Sequence, residues 1–194
     1  MLGLILAGGR GVRFGGGEKP LALCNGQPLI EWVADALVDA GVEPVVVAST
    51  RTPFTQNWCR AHDLLCICTG GAGYVEDLVE AIALLGLDEP VLTVAADLPC
   101  LSRSLVEQVV LAYRGQTCPA LSVWVPVDDG TDAGPYVEEV DGRRAVPAGI
   151  NILHAGLIGG MQEECRLRID DPSLGHNVNT RVSLAAAERH LAGE

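Results

Sequence analysis

The residues best suited to chemistry begin at the amino terminus. Leu4-Ile5-Leu6-Ala7-Gly8-Gly9-Arg10-Gly11-Val12-Arg13-Phe14-Gly15 is an apolar run that breaks into a glycine turn, and Glu18-Lys19-Pro20-Leu21 follows. The apolar run reads as a buried strand, and the glycines remove Cβ atoms where the chain must bend. Backbone N–H groups bared in this way line a concave anion site, to which Arg10, Arg13 and Lys19 bring positive ends. That combination suits a nucleoside triphosphate. Two commoner glycine turns fail on single residues. A dinucleotide fingerprint counted from Gly9 and Gly11 needs glycine where Phe14 stands, which argues against a dehydrogenase. A Walker-type loop needs Gly-Lys-Ser/Thr, whereas Lys19 sits between Glu18 and Pro20.

Other candidates lie further along. Asp97, in Val94-Ala95-Ala96-Asp97-Leu98-Pro99, is an acid just past a second buried strand. Mg²⁺ takes one or two carboxylates together with phosphate oxygens and water, and Asp97 reads as such a ligand in preference to a turn cap. Gly70-Gly71-Ala72-Gly73-Tyr74-Val75-Glu76-Asp77-Leu78 is a second glycine turn entering a helix. Gly73, Glu76 and Asp77 carry two readings of equal standing there: they satisfy the helix dipole, or they touch ribose, base or second substrate. In Asn177-Val178-Asn179-Thr180, Asn179 or Thr180 caps a final helix on the plain reading, while an Asn carbonyl can also join a Mg²⁺ shell or meet a phosphate. Val146-Pro147-Ala148-Gly149-Ile150-Asn151-Ile152 reads as a Pro-Gly turn into a strand, or as a close-approach surface for a large acceptor. Ser49, Thr50 and Thr69 follow strands and could frame a base with nearby backbone groups. The four histidines (62, 154, 176 and 190) show no metal-ligand spacing and read as structural or surface residues.

These residues need a scaffold, and the chain alternates accordingly. Strands are expected at 2–6, 44–48, 64–68 and 91–95, with helices at 29–40, before 62, at 78–85 and at 102–113. This β-α-β-α succession calls for a parallel sheet with helices on both faces, whose ligands bind beyond the carboxyl ends of the strands. The glycine turn and Asp97 both fall there. From 120 onward, extended stretches at 120–126, 136–140 and 148–153, with Asp141-Gly142 as a hairpin signal, predict mixed or antiparallel strands. A helix at 181–191 closes the chain. The expectation is a single domain over 1–194, with 1–115 as the nucleotide half and 116–194 as the acceptor half. The polar 128–134 segment is the best candidate for mobility.

Composition limits the partners. The 194 residues hold 25 acids against 13 Lys and Arg, for a formal charge of −12. Such a surface repels polyphosphate backbones, so nucleic acid is not an expected partner and an anionic ligand must find local positive charge. No run approaches ~18 apolar residues, so no membrane span is expected. Seven cysteines without a recognisable secretory segment suggest reduced thiols and a cytoplasmic location. Cys66-Ile67-Cys68 lies in an apolar run and reads as core packing.

Taken together, these pieces resemble the MobA-like nucleotidyltransferase superfamily, with its Rossmann-like fold. Ala7-Gly8-Gly9-x-Gly11-x-Arg13 with Lys19-Pro20-Leu21 is shared widely in that superfamily, including the molybdopterin guanylyltransferases. Gly73-Tyr74-Val75-Glu76-Asp77-Leu78, Val146-Pro147-Ala148-Gly149-Ile150-Asn151 and Asn177-x-Asn179-Thr180 resemble more narrowly the archaeal GTP:adenosylcobinamide-phosphate guanylyltransferases. Phe14 stands where methionine is common, an apolar exchange. The resemblance implies transfer of GMP from GTP to a corrinoid phosphate, with Mg²⁺ as cofactor. It places the triphosphate on Leu6, Ala7, Gly8, Gly9, Arg10 and Gly11, the leaving pyrophosphate on Arg13, the α-phosphate on Lys19, and Mg²⁺ between Asp97 and Asn179. It assigns Gly149, Asn151 and Asn177 to the acceptor, and guanine choice rests on it alone. A homodimer is compatible with all of this. Another phosphorylated acceptor such as molybdopterin, or a non-catalytic GTP-binding module, stays open as an alternative.

Overall fold

A computed structural model describes residues 1–9, 11–128 and 136–193. Arg10 and residues 129–134 of the polar segment lie outside the described residues. The strands are β1 (Leu2–Leu6), β2 (Leu23–Cys24), β3 (Gln27–Pro28), β4 (Glu43–Ser49), β5 (Cys66–Thr69), β6 (Pro90–Ala95), β7 (Ala120–Pro126), β8 (Glu138–Val140), β9 (Arg143–His154) and β10 (Glu164–Arg168). The helices are α1 (Leu29–Asp39), α2 (Pro53–Ala61), α3 (Tyr74–Leu85), α4 (Arg103–Arg114) and α5 (Arg181–Ala192).

One eight-stranded sheet runs in the order β10-β7-β9-β6-β1-β4-β5, with β8 paired to β9. β1 pairs parallel with β4 and β6, and β4 with β5. β9 enters antiparallel between β6 and β7, while β10 runs parallel to β7. This is the expected α/β nucleotidyltransferase architecture, mostly parallel with mixed strands in the carboxyl half. Successive side chains point to opposite faces of a strand, and both faces here are covered. Ile5, Val46 and Leu92 pack with Val33 and Leu37 of α1, Cys59 of α2, and Leu105 and Val109 of α4. Leu4, Val45, Val47 and Val91 pack on the other face against Leu78, Ala81 and Ile82 of α3. Asp141 and Gly142, at φ 49° and 72°, make the β8–β9 turn that the Asp-Gly pair predicts.

Three expectations are corrected. Cys118 and Cys165 form a disulfide with a Cα–Cα separation of 5.8 Å, so the thiols are not all reduced. β7 begins at Ala120 and pairs Ala120 with Glu164, which sets the two cysteines side by side. The thiol argument for a cytoplasmic location falls with it. The Pro-Gly turn expected at 146–149 lies inside β9, where the register against β7 shifts between Ser122 and Trp124 and Gly149 adopts φ +77°. It is a bulge in a long strand. Cys68 is exposed, whereas Cys66 packs partly on the core, so the Cys-x-Cys pair is only half core. No helix among the described residues is long and apolar enough to cross a membrane.

Candidate active site

Three distant segments meet beyond the carboxyl end of the sheet. Past β1, Ala7 continues the ladder by donating to the Val47 carbonyl at 2.9 Å, and the chain then turns through Gly8 and Gly9. At Gly8 the Ser49 hydroxyl donates to the carbonyl at 2.9 Å, and a Cβ there would lie 3.1 Å from Ser49 Cβ. Gly11 takes φ +56° to start a short 3-10 turn, Val12–Phe14. Phe14 is buried among Leu29, Val178 and Leu184, with the Arg181 guanidinium 4.5 Å from its ring centroid. The core thereby grips one end of the turn while Arg13 points to the site.

Lys19, the sole lysine of the chain, reaches both opposing segments. Its ammonium is paired with Asp97 Oδ2 and donates to Asn179 Oδ1 at 3.3 Å. Arg13 donates to the same Asn179 oxygen at 3.4 Å. Asp97 is 8% exposed, and its second oxygen, Oδ1, is buried with no hydrogen-bond partner among the described residues. Val178 N–H donates to the Asp97 carbonyl at 2.9 Å, fixing the Asn177–Asn179 strip against it. Asn179 Nδ2 donates to Asn177 Oδ1 at 2.6 Å, which turns the Asn179 oxygen toward the two cations. Thr180 and Ser183 close a capping box on α5, so the cap falls to Thr180 and Asn179 keeps its side chain for the site.

A hard divalent cation suits this donor set. Asp97 offers an unpartnered carboxylate oxygen, and Asn179 offers an amide oxygen bound only through long contacts. One carboxylate and one amide leave room for phosphate oxygens and water, as Mg²⁺ requires.

Beside this cluster a cavity of about 240 Å³ opens against the glycine turn. Its lining includes Leu6, Gly8, Gly9, Arg51, Gly73, Tyr74 and Asp77. Asp77 Oδ1 accepts from the Gly71 and Ala72 N–H groups at 2.8 and 3.1 Å, which holds the second glycine turn closed. Asp77 thus braces that turn and faces the cavity at once. Glu76 is exposed and folds its carboxylate back over Gly73. The hydroxyls of Ser49, Thr50 and Thr69 each donate to a backbone carbonyl, of Gly8, Gly70 and Ala48 respectively. All three are committed to backbone, and none of them is among the residues that line the cavity, so the structure does not bring them to a base there. Arg51 and Tyr74 were not singled out by sequence; Arg51 directly follows Ser49-Thr50, and Tyr74 lies within the second glycine motif.

A more open groove of about 390 Å³ shares Tyr74 with the cavity and runs over β7 and β9. Val75, Leu78, Ile152 and Ile158 give it an apolar floor, and among the described residues its lining contains one acid, Glu164, and no Lys or Arg. Asn151 Nδ2 donates to the Tyr74 hydroxyl at 3.3 Å across its entrance. Gly149 sits inward of this, with a virtual Cβ 3.2 Å from Ala95 Cβ, so only glycine lets β9 approach the end of β6.

Known proteins resemble this chain along nearly its whole length. Adenosylcobinamide-phosphate guanylyltransferase of Methanocaldococcus jannaschii is 33% identical over 97% of this chain and 96% of its own. A molybdenum cofactor guanylyltransferase of a Bradyrhizobium species is 29% identical over 63% of this chain and 65% of its own. Among solved structures, a CMP:2-keto-3-deoxy-manno-octonic acid synthetase complexed with CTP superposes with a TM-score of 0.76, covering 99% of this chain and 98% of that one at 17% identity, a likeness of fold. The family model described as the MobA-like NTP transferase domain matches residues 3–193, and the chain belongs to that family of nucleotidyltransferases.

Proposed function

We propose that this protein transfers GMP from GTP to adenosylcobinamide phosphate, forming adenosylcobinamide-GDP and pyrophosphate. The observation that carries the reading is the meeting of Arg13, Lys19, Asp97 and Asn179 at the mouth of the glycine turn. The similarity to the archaeal relative over nearly all of both chains supports the choice of nucleotide and acceptor.

An oxygen of the acceptor phosphate attacks the α-phosphorus of GTP, and the bond from that phosphorus to the bridging oxygen breaks as pyrophosphate leaves. The attacking phosphate is already anionic near pH 7, so no general base is required. The barrier lies in bringing anions together and in the charge that gathers on the leaving group. Lys19 leaves its partner carboxylate to meet the α-phosphate, and Arg13 neutralises the departing pyrophosphate. Asp97 and Asn179 would hold Mg²⁺, which would supply charge withdrawal from the phosphate oxygens. The cavity between the two glycine turns receives the base and ribose, with Asp77 and Arg51 at its wall. The groove beyond Tyr74 takes the acceptor's body: among the described residues its lining has no cation to hold a phosphate, so the phosphate end turns toward Lys19. On this reading residues 1–115 serve chiefly the nucleotide and 116–194 chiefly the acceptor, with Asn179 crossing to the first site and Tyr74, Val75 and Leu78 to the second.

The test is incubation with α-labelled GTP, Mg²⁺ and adenosylcobinamide phosphate, with molybdopterin in a parallel reaction. Label should pass to the corrinoid with one pyrophosphate released per transfer. Transfer to molybdopterin alone, or GTP binding without pyrophosphate release, overturns the reading.

A further inference from the structure

Glu18, one residue before Lys19, takes no part in the chemistry above, yet it makes three hydrogen bonds with α2. Its Oε1 accepts from the Phe54 N–H at 2.8 Å, and its Oε2 accepts from the Thr55 N–H and the Thr55 hydroxyl, both at 2.6 Å. α2 makes no side-chain cap of its own: Thr52, at its cap position, accepts instead from the Ser49 N–H at 3.0 Å. The first turn of a helix leaves N–H groups unpaired, and a carboxylate is their strongest partner. Here that carboxylate comes from 36 residues upstream.

The rest of the turn gives this bond a consequence. Leu21 and Ala22 N–H donate back to the Glu18 and Lys19 carbonyls, each at 3.0 Å, so residues 18–22 form a closed turn. Lys19 leaves that turn for Asp97 and Asn179. On the other side, Gly15, Gly16 and Gly17 run at φ 88°, 125° and 74° with open space where their Cβ atoms would be. Such a stretch transmits little constraint. Lys19 is therefore held from two directions. On its carboxyl side Pro20 is buried, Leu21 packs on the core and the Leu29 N–H donates to the Ala22 carbonyl at 3.0 Å. On its amino side the hold is the Glu18 carboxylate on α2. α2 in turn follows the 49–52 loop that brings Arg51 to the cavity wall, so the same carboxylate ties the nucleotide pocket to Lys19.

We infer that Glu18 is a positioning residue, whose carboxylate pins the Lys19 turn to the start of α2 and thereby sets the ammonium against Asp97 and the reacting phosphate. This rests on the role proposed for Lys19, and the test keeps the two apart. Glu18→Ala and Glu18→Gln are compared with Asn57→Gly, which weakens α2 from its exposed side without touching Glu18. The readouts are melting temperature, kcat and KM for GTP, and the rate of reductive methylation at the chain's sole lysine, followed by peptide mass. Glu18→Ala should lower kcat 10- to 100-fold with KM for GTP within about threefold, and should speed methylation of Lys19 severalfold. Glu18→Gln keeps one acceptor but turns an amide N–H₂ against a donor, so it should fall between. Asn57→Gly should lower the melting temperature and leave kcat and methylation within about twofold. Wild-type methylation in Glu18→Ala overturns the inference, as does an equal loss of kcat in Asn57→Gly at matched stability. If the wild-type protein transfers no GMP while Glu18→Ala still frees the lysine, the functional reading fails and the positioning stands.

Discussion

Lys19 and Asp97, 78 residues apart, meet through one carboxylate oxygen only, and the other is buried without a partner among the described residues. The pair is shielded, with side chains 19% and 11% exposed. An ion pair in such a place neutralises both groups until a nucleotide brings its own charge. On the proposed reading the unpartnered oxygen would then serve a metal, and the ammonium would turn to a phosphate. The asymmetry is what a site needs if it alternates between empty and loaded states.

Lys19→Ala should lower kcat 10²- to 10³-fold, about 3–4 kcal/mol of transition-state stabilisation by analogy with a lost oxyanion donor. Lys19→Arg should restore little, because a planar guanidinium cannot occupy the point-like ammonium position between Asp97 and Asn179. Single-turnover transfer with saturating GTP measures both. Near-normal turnover in Lys19→Ala removes Lys19 from the reaction.

Asp97→Asn preserves shape and removes the charge. The Mg²⁺ concentration for half-maximal rate should rise at least tenfold, since a carboxylate is the stronger ligand for a hard cation. A Mg²⁺ titration of the purified variant decides it. An unchanged midpoint would place the metal elsewhere.

Asp77 has two readings that GTP and ITP separate, because ITP lacks the exocyclic amine. If the carboxylate meets the guanine edge, Asp77→Asn should weaken GTP by roughly ten- to a hundredfold, the range for a hydrogen bond to a charged group, and ITP much less. If it only braces the Gly71 and Ala72 N–H groups, both nucleotides should weaken together. Calorimetry with each nucleotide reads the difference.

What could be read in advance follows from burial. β1, β4 and β6 are covered on both faces and therefore appear as apolar runs, and the carboxylate after β6 and the cations after β1 share an edge by topology. β10 was not anticipated because it is an edge strand, Glu-Cys-Arg-Leu-Arg, without a continuous apolar signal. The β2–β3 hairpin was also unforeseen, although Asn25 and Gly26 at φ 49° and 83° are a sound turn signal, because its strands have two residues each. At the site, residue types identified Arg13, Lys19, Asp97 and Asn179, but not the direct contact between Lys19 and Asp97. Glu18 was invisible in its own segment, since its partners belong to a helix that starts 35 residues later.

The Cys118–Cys165 bond closes a loop across 47 residues and ties β7 to β10 at the end of the sheet away from the glycine turn. Loop-closure entropy for that length is worth about 4 kcal/mol, and native disulfides commonly realise about 2–5. The Cys118→Ser, Cys165→Ser double variant should lose stability of this order in urea unfolding while keeping kcat within about twofold. A parallel loss of activity at matched folded fraction would mean that β10 helps shape the acceptor groove.

Cys66 offers the pH dependence. It sits half-buried on the edge strand β5, where the Cys59 thiol hydrogen-bonds to it and Arg60 lies nearby. Those contacts outweigh burial and bring its thiol down to about 7, while Cys59, as the donor, is pushed up. The thiolate is the nucleophile, so reactivity follows its fraction. Alkylation of Cys66 by iodoacetamide should therefore rise through pH 7 and level off above it, and Cys59→Ala should carry the midpoint upward toward the ordinary thiol range. Peptide mass spectrometry after short exposures between pH 5.5 and 9.5 follows Cys66 against exposed Cys68 in the same chain. A Cys66 midpoint as high in the native protein as in the variant would show that the Cys59 thiol does not hold the Cys66 thiolate.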